Sequence, residues 1–204
     1  GLFRFALQTI RSLARQTGTL SLPPLERVLP RGAERPLYDA IDSVIKDALG
    51  RERWALIIAV ASALGKRVRR LPLLQSRLEQ AIQAKPDYFA QQAITLWLYS
   101  SPRRRDGRVR KLLDWDKSVV VVPAVFSHLH LRRQDWLDPY LEGKPLKGLF
   151  RTGKTIYLIP ARDGFHRWLE RQQRAFQRLL KLLARDKGTH NWERVQGIRI
   201  QARL

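Results

Sequence analysis

The run WALIIAVASAL, at residues 54–64, limits what this chain can fold into more than any other stretch of the sequence. A helix that crosses a membrane needs about 20 consecutive apolar residues, and this run has roughly half that length. It therefore predicts a helix buried inside the protein. The neighbouring segments are expected to cover it.

Three segments beside this run also have helical patterns. PLYDAIDSVIKDALG starts at Pro36, stops at Gly50 and places its apolar residues on one face. PLLQSRLEQAIQA and PDYFAQQAITLWLYS open at Pro72 and Pro86, and proline suits the first turn of a helix. We therefore predict a bundle of four helices, within a domain that covers residues 36–112.

Residues 1–35 have a different sequence pattern from this bundle. Residues 2–16 place apolar side chains on one helical face and three arginines elsewhere, with no acidic residue before Glu26. This pattern predicts a docked N-terminal helix, although an organellar transit peptide or a membrane-surface helix has the same pattern. Residues 17–36 contain four prolines and two glycines, which predicts a linker.

The charge balance points to the partner of this chain. It has 39 Lys plus Arg against 18 Asp plus Glu, a formal net charge of +21. Such an excess increases repulsion within the folded state, so it is typical of proteins with a polyanionic partner, and nucleic acid is the commonest. Acidic protein segments or an anionic membrane surface are the alternatives.

The chain contains no cysteine. That excludes disulfides, cysteine-ligated zinc, iron–sulfur clusters and thiol nucleophiles. We expect no cofactor.

Two basic clusters lie at joints between predicted helices. GKRVRR contains Lys66, Arg67, Arg69 and Arg70. SPRRRDGRVRK contains Arg103, Arg104, Arg105, Arg108, Arg110 and Lys111. Like charges this close repel each other unless an anion lies among them, so we predict that both clusters bind nucleic acid and that the second is a phosphate-contacting loop.

After residue 112 the pattern changes from helices toward strands. SVVVVPAVF, residues 118–126, is rich in β-branched residues and predicts a strand. RRQDWLDPYLEG predicts a short helix that stops at Gly143. The C-terminal segment GIRIQARL alternates apolar and polar residues, which predicts a strand with one buried face.

The segment GLFRTGKT fits the phosphate-binding pattern G-x-x-x-x-G-K-[ST] at Gly148, Gly153, Lys154 and Thr155. Such a loop works only between a buried strand and the N-terminus of a helix, and neither EGKPLK before it nor IYLIP after it fits. We therefore predict that the match is a decoy and that the chain is not an enzyme. The segment is better explained as a β-hairpin whose tip presents Arg151 and Lys154 to nucleic acid.

The segment GFHRWLERQQRAFQRLLKLLAR, residues 164–185, predicts a long amphipathic helix. Its cations form one stripe, which we predict to follow phosphates: Arg167, Arg171, Arg174, Arg178, Lys181 and Arg185. A short helix, a basic-tipped hairpin and a further helix resemble a winged-helix module, and this resemblance implies that the wing contacts the DNA backbone. We therefore predict an α+β, winged-helix-like region over residues 113–204.

Two residue pairs suggest metal chemistry. His128 and His130 would share a strand face, but no carboxylate lies at a supporting spacing. Asp114 and Asp116 resemble a nuclease carboxylate pair, but such metal sites need acids on neighbouring rigid strands. We assign no metal site and no catalytic residue.

The sequence as a whole predicts an α+β protein that binds DNA or RNA without catalysis, mainly through the phosphate backbone, as a subunit of a larger nucleoprotein assembly. Trp115 and Trp192, which have polar neighbours, are candidates for base stacking. The alternatives are an adaptor that binds acidic protein segments, at a membrane or elsewhere, and a metal-dependent nuclease. We expect the protein in the cytoplasm, with an organelle matrix or a membrane surface as alternatives.

Overall fold

The computed structural model describes residues 12, 20–27, 29–84, 87–115, 119, 122–141 and 167–185. Every regular element in these ranges is an α-helix or a 3-10 turn. The chain divides into two compact units, Gly1–Arg105 and Asp106–Leu204, so the boundary falls inside the second basic cluster. No helix in the described ranges is long and apolar enough to cross a membrane.

The first unit contains the four helices that the sequence predicts. They are α1 (Glu34–Asp47), α2 (Gly50–Leu64), α3 (Pro72–Gln83) and α4 (Asp87–Ser100). Helix α2 contacts the other three helices, and from Trp54 to Ala61 all of its residues are apolar. Residues 55–61 within it are all buried, as the run WALIIAVASAL predicts.

The C-terminal end of α2 accepts hydrogen bonds from residues 25 and 26, which precede α1 in the chain. The backbone N–H groups of Leu25 and Glu26 donate to the Ala63 carbonyl at 2.8 and 3.1 Å. Gly65 follows with a φ of +50°, a conformation that glycine adopts without strain. A Cβ atom on Gly65 would also overlap the Glu26 carboxylate, which would have to move, so the positive φ is the main reason that this corner favours glycine.

The second unit contains most of α5 (Arg105–Trp115), followed by α6 (Pro123–Arg132), α7 (Asp138–Leu141) and α8 (Glu170–Arg185). Aromatic rings form the core that joins α6 to α8. Phe126 stacks on His130 at 5.2 Å, and His130 meets the edge of Trp168 at 5.6 Å. Trp168 in turn meets Phe176 of α8 edge to face at 5.6 Å.

The prediction of an α+β fold is wrong, because the described chain is mostly helical and contains no strand. Residues 123–126 of the segment 118–126, which was predicted as a strand, belong instead to α6. Pro123 occupies the first turn, and the Phe126 N–H donates to the Val122 carbonyl at 2.9 Å. The strand preference of valine reflects packing, so the tertiary context can override it. The predicted hairpin around GLFRTGKT and the predicted strand at residues 198–204 lie outside the described residues, so no described strand supports a winged helix.

Other boundaries differ from the predictions. The C-terminal helix starts at Glu170, and Arg167 before it has a φ of +58°. The short helix predicted over residues 132–143 is divided into a 3-10 turn, Gln134–Trp136, and α7. The predicted N-terminal helix over residues 2–16 lies outside the described residues except for Ser12.

Candidate nucleic-acid interface

The first basic cluster forms a 3-10 turn, Gly65–Arg70, between α2 and α3, which we call the 65–70 turn. Two of its arginines face Glu34, which is only 3% exposed. Glu34 Oε1 lies 2.9 Å from Arg70 Nη1 and 3.5 Å from Arg67 Nη1. Arg67 also donates to the Pro30 carbonyl at 3.1 Å. These two predicted nucleic-acid contacts are therefore engaged within the fold.

The environment of Glu34 favours its charged form. Its own backbone N–H is the largest influence that lowers the pKa of the carboxyl, followed by Arg70, the Gly32 N–H and Arg67. Together they outweigh burial, which acts in the opposite direction. The two arginines therefore hold a carboxylate in the protein interior.

Lys66 and Arg69 differ from their neighbours in the 65–70 turn. Both are exposed, and no side-chain hydrogen bond or ion pair joins either of them to another residue in the described part of the chain. The turn itself is anchored by Val68, which is 1% exposed. It therefore presents two cations to solvent and uses two for structure.

The second basic cluster is not the loop that the sequence predicts. It begins with a 3-10 turn, Pro102–Arg104, which we call the 102–104 turn, and continues as α5. Arg103 and Arg104 are exposed, and within the described ranges neither side chain has a hydrogen bond or ion pair. The Arg104 N–H donates to the Ser101 carbonyl at 3.1 Å, which fixes the turn at the end of α4.

The next arginines in this cluster are partly or fully buried. The Arg105 guanidinium lies over the Tyr99 ring, 5.2 Å from its centroid. Its Nε is buried and has no hydrogen-bond partner among the described residues. Arg108 is only 8% exposed, so it is not available to a phosphate outside the protein.

The last two cations of the cluster lie beside tryptophans. The Arg110 guanidinium is 5.1 Å from the Trp136 centroid, and Lys111 Nζ is 4.8 Å from the Trp115 centroid. Trp115, predicted as a stacking residue, is 40% exposed. A pocket of about 260 Å³ opens beside Arg110, lined by Arg110, Leu113, Asp114, Asp135, Trp136, Pro139 and Tyr140.

Arg133 organises this region, although no sequence pattern pointed to it. Its guanidinium lies 3.7 Å from the Trp136 centroid and donates to both Asp135 oxygens at 3.1 and 2.8 Å. It also donates to Asp106 at 3.0 Å, across 27 residues of chain. The hydrogen bonds to Asp135 and Asp106 raise the pKa of Arg133, and Arg133 lowers the pKa of Asp135.

The predicted stripe on the C-terminal helix is divided by acidic partners. Arg171 donates to Asp138 at 2.8 Å, and Arg174 pairs with Glu170. The hydrogen bond from Arg171 lowers the pKa of Asp138. The buried Gln172 amide donates to the other oxygen of Asp138 at 2.8 Å, so this part of α8 is fastened to α7.

The other cations of that predicted stripe fall into three groups. Arg178 and Lys181 are exposed on α8, and no ion pair joins either to a described residue. Arg167 is exposed but precedes the helix, so the predicted spacing does not apply to it. The side chain of Arg185, like Arg151 and Lys154, lies outside the described part of the chain.

Within the described residues, the candidates for metal chemistry do not form a metal site. The prediction that His128 and His130 share a strand face is wrong, because both lie on α6 and both are buried. Asp114 is exposed on α5, whereas Asp116 and Trp192 lie outside the described residues. The described residues contain no group of three or more His, Asp or Glu that could hold a metal ion.

Tyr99 lies next to the second basic cluster, and the sequence analysis did not single it out. It lies in the last turn of α4 and is 57% exposed. The signal was present, since Tyr99 follows Thr95 by four residues and Thr95 follows Gln91 by four, which places all three on the less apolar face of the helix.

Comparison with protein-family models, with curated proteins and with solved structures found no match for this chain. Its function has to be inferred from its own residues. The exposed cations without an acidic partner, within the described ranges and at the predicted positions, are Lys66, Arg69, Arg103, Arg104, Arg167, Arg178 and Lys181.

Proposed function

We propose that this chain binds nucleic acid without catalysis, mainly through contacts with the phosphate backbone. The observation that carries the proposal is the 102–104 turn, where Arg103 and Arg104 are adjacent and exposed and have no acidic partner among the described residues. Other arginines of the chain do have such partners, as Arg70 has Glu34 and Arg171 has Asp138.

Phosphate is the anion that fits this turn. Guanidinium groups present a planar set of donors that match phosphate oxygens in pairs. Two adjacent arginines repel each other in a protein whose net charge is already +21, and an anion between them removes that repulsion. The C-terminal dipole of α4 also favours nearby cations, but by only about 0.3–1 kcal/mol at an exposed position.

The proposal is tested by titrating labelled 20-mer oligonucleotides, single- and double-stranded, with wild-type protein and with Arg103→Ala/Arg104→Ala. Fluorescence anisotropy at several salt concentrations gives the affinity and its salt dependence. We expect the double variant to bind roughly tenfold more weakly, with a slope of log K against log salt that is shallower by roughly 0.7–0.9 per lost contact.

The matched control is Arg35→Ala/Lys46→Ala. It removes the same charge from the same unit, but these two cations pair with Asp39 and Asp42 on α1. We expect it to change the affinity less than twofold. Equal losses in both double variants would show that only net charge matters, and binding to polyglutamate but to neither oligonucleotide would favour the adaptor for acidic proteins.

A further inference from the structure

An exposed aromatic ring lies at the same end of α4 as the 102–104 turn. Tyr99 is in the last turn of α4, and Arg103 and Arg104 follow it after four and five residues, at the same end of that helix. The Tyr99 side chain is 57% exposed, in contrast to Trp97 and Leu98 just before it, which are buried.

Arg105 holds a defined position against this ring. Its guanidinium lies 5.2 Å from the Tyr99 centroid, a cation–π distance, and its own side chain is half-buried. The half-buried Arg105 therefore helps to hold the Tyr99 ring in place. An aromatic ring held in one place loses little conformational entropy when a second planar group stacks on it.

We propose that Tyr99 is a stacking platform for an unpaired base, and that Arg103 and Arg104 hold the phosphates beside that base. The ligand is then single-stranded nucleic acid. This inference rests on the proposed function and adds the class of substrate to it.

The chemistry of the two ligand classes supports this choice. In a duplex the faces of the bases are covered by their neighbours, whereas single strands can turn a base outward onto an aromatic side chain. Phosphates are present in both classes, so the arginines alone do not distinguish them. The exposed ring is the part of this surface that does.

Tyr88 provides a matched control on the same helix. It is 54% exposed in the first turn of α4, close to the exposure of Tyr99. Its ring meets Phe89 edge to face at 5.5 Å rather than an arginine. Replacing Tyr88 therefore removes a similar amount of exposed aromatic surface from the opposite end of the helix.

The test compares wild type, Tyr99→Ala, Tyr99→Phe and Tyr88→Ala in anisotropy titrations with single- and double-stranded 20-mers at one salt concentration. We expect Tyr99→Ala to weaken single-strand binding by roughly five- to twentyfold and duplex binding less than twofold. Tyr99→Phe keeps the ring and should keep the single-strand affinity. Tyr88→Ala should bind both ligands as wild type does.

Each outcome decides the inference. The stacking inference is overturned if Tyr99→Ala changes neither the single-strand nor the duplex affinity, or lowers the two equally. In that case the proposed function remains if Arg103→Ala/Arg104→Ala still weakens binding to both ligands. It is overturned together with the proposed function if wild type binds neither ligand. Should Tyr99→Ala fail to fold by circular dichroism, Tyr99→Leu, which is apolar but not aromatic, replaces it and must show the same selective loss.

Discussion

Glu34 is a carboxylate buried at the start of α1 and held by arginines from the 65–70 turn. Its pKa is below the ordinary value of 4.5. A carboxyl whose pKa is lowered by folding stabilises the protein above its unfolded pKa, and this stabilisation is lost as the pH falls through the folded pKa. The ion pair is therefore expected to contribute to acid unfolding.

We predict that Glu34→Gln lowers the unfolding midpoint at pH 7 and flattens its dependence on pH below about 5. Glutamine cannot ionise, so the proton uptake by this group on unfolding disappears. Thermal unfolding followed by circular dichroism across this pH range measures both effects. Asp39→Asn, at an exposed pair 4.0 Å long, is the control and should leave the profile nearly unchanged.

The end of α2 depends on backbone conformation. Gly65 has a positive φ and faces the Glu26 carboxylate, whereas Gly107 lies in the first turn of α5, where an added Cβ atom would enter open space. The same substitution should therefore have opposite effects at these two positions.

We predict that Gly65→Ala destabilises the protein by about 1–3 kcal/mol, since alanine is strained at this φ and its Cβ meets Glu26. Gly107→Ala should stabilise it by about 0.5–1 kcal/mol, because alanine is the better helix former. Urea unfolding of both variants measures the free energies. Equal effects of one sign would contradict the conformation assigned to Gly65.

Helix α8 separates cations that serve the fold from cations that are available to a ligand. Arg171 is fastened to Asp138, whereas Arg178 and Lys181 are exposed and have no ion pair among the described residues. Charge reversal should therefore have different consequences along one helix.

We predict that Arg178→Glu/Lys181→Glu weakens nucleic-acid binding by roughly tenfold for every sequence, because phosphate contacts carry no base information. The variant should not lower the unfolding midpoint, because it removes positive charge from a protein with an excess of it. Arg171→Glu should instead destabilise the protein by roughly 1 kcal/mol, since it places a second carboxylate beside Asp138. Anisotropy titrations and thermal unfolding separate the two. A lowered midpoint in the first variant would mean that these cations also hold the fold.

The charge of +21 acts on the protein as a whole. Repulsion among the excess cations opposes the folded state and is screened by salt. We predict that raising NaCl from 20 to 300 mM increases the unfolding midpoint by about 2–6 °C. Differential scanning calorimetry without nucleic acid measures this shift. A midpoint that falls with salt would show that the ion pairs, such as those of Glu34 and Arg133, outweigh the repulsion.

Much of the first unit could be predicted from the sequence. The apolar run 54–64, the prolines at 72 and 86 and the spacing of apolar residues predict the four helices, because helical hydrogen bonds and amphipathic faces are local properties. The exposure of Arg103 and Arg104 could also be predicted, since cations at a joint between helices tend to be exposed. Tyr99 was missed because it stands in a segment that is largely apolar.

Other features were decided by the tertiary structure alone. Glu34 pairs with cations more than 30 residues later, and Asp138 pairs with Arg171 across 33 residues, so no local pattern shows which arginines are neutralised. The same holds for the start of α6, where Val125 by itself favours a strand but is buried, together with Phe126, in the first turn of the helix. The sequence by itself determined where the helices and the positive charge lie. Only the fold decided which charges remain for a ligand, because an ion pair depends on a few ångströms between side chains that are far apart in the chain.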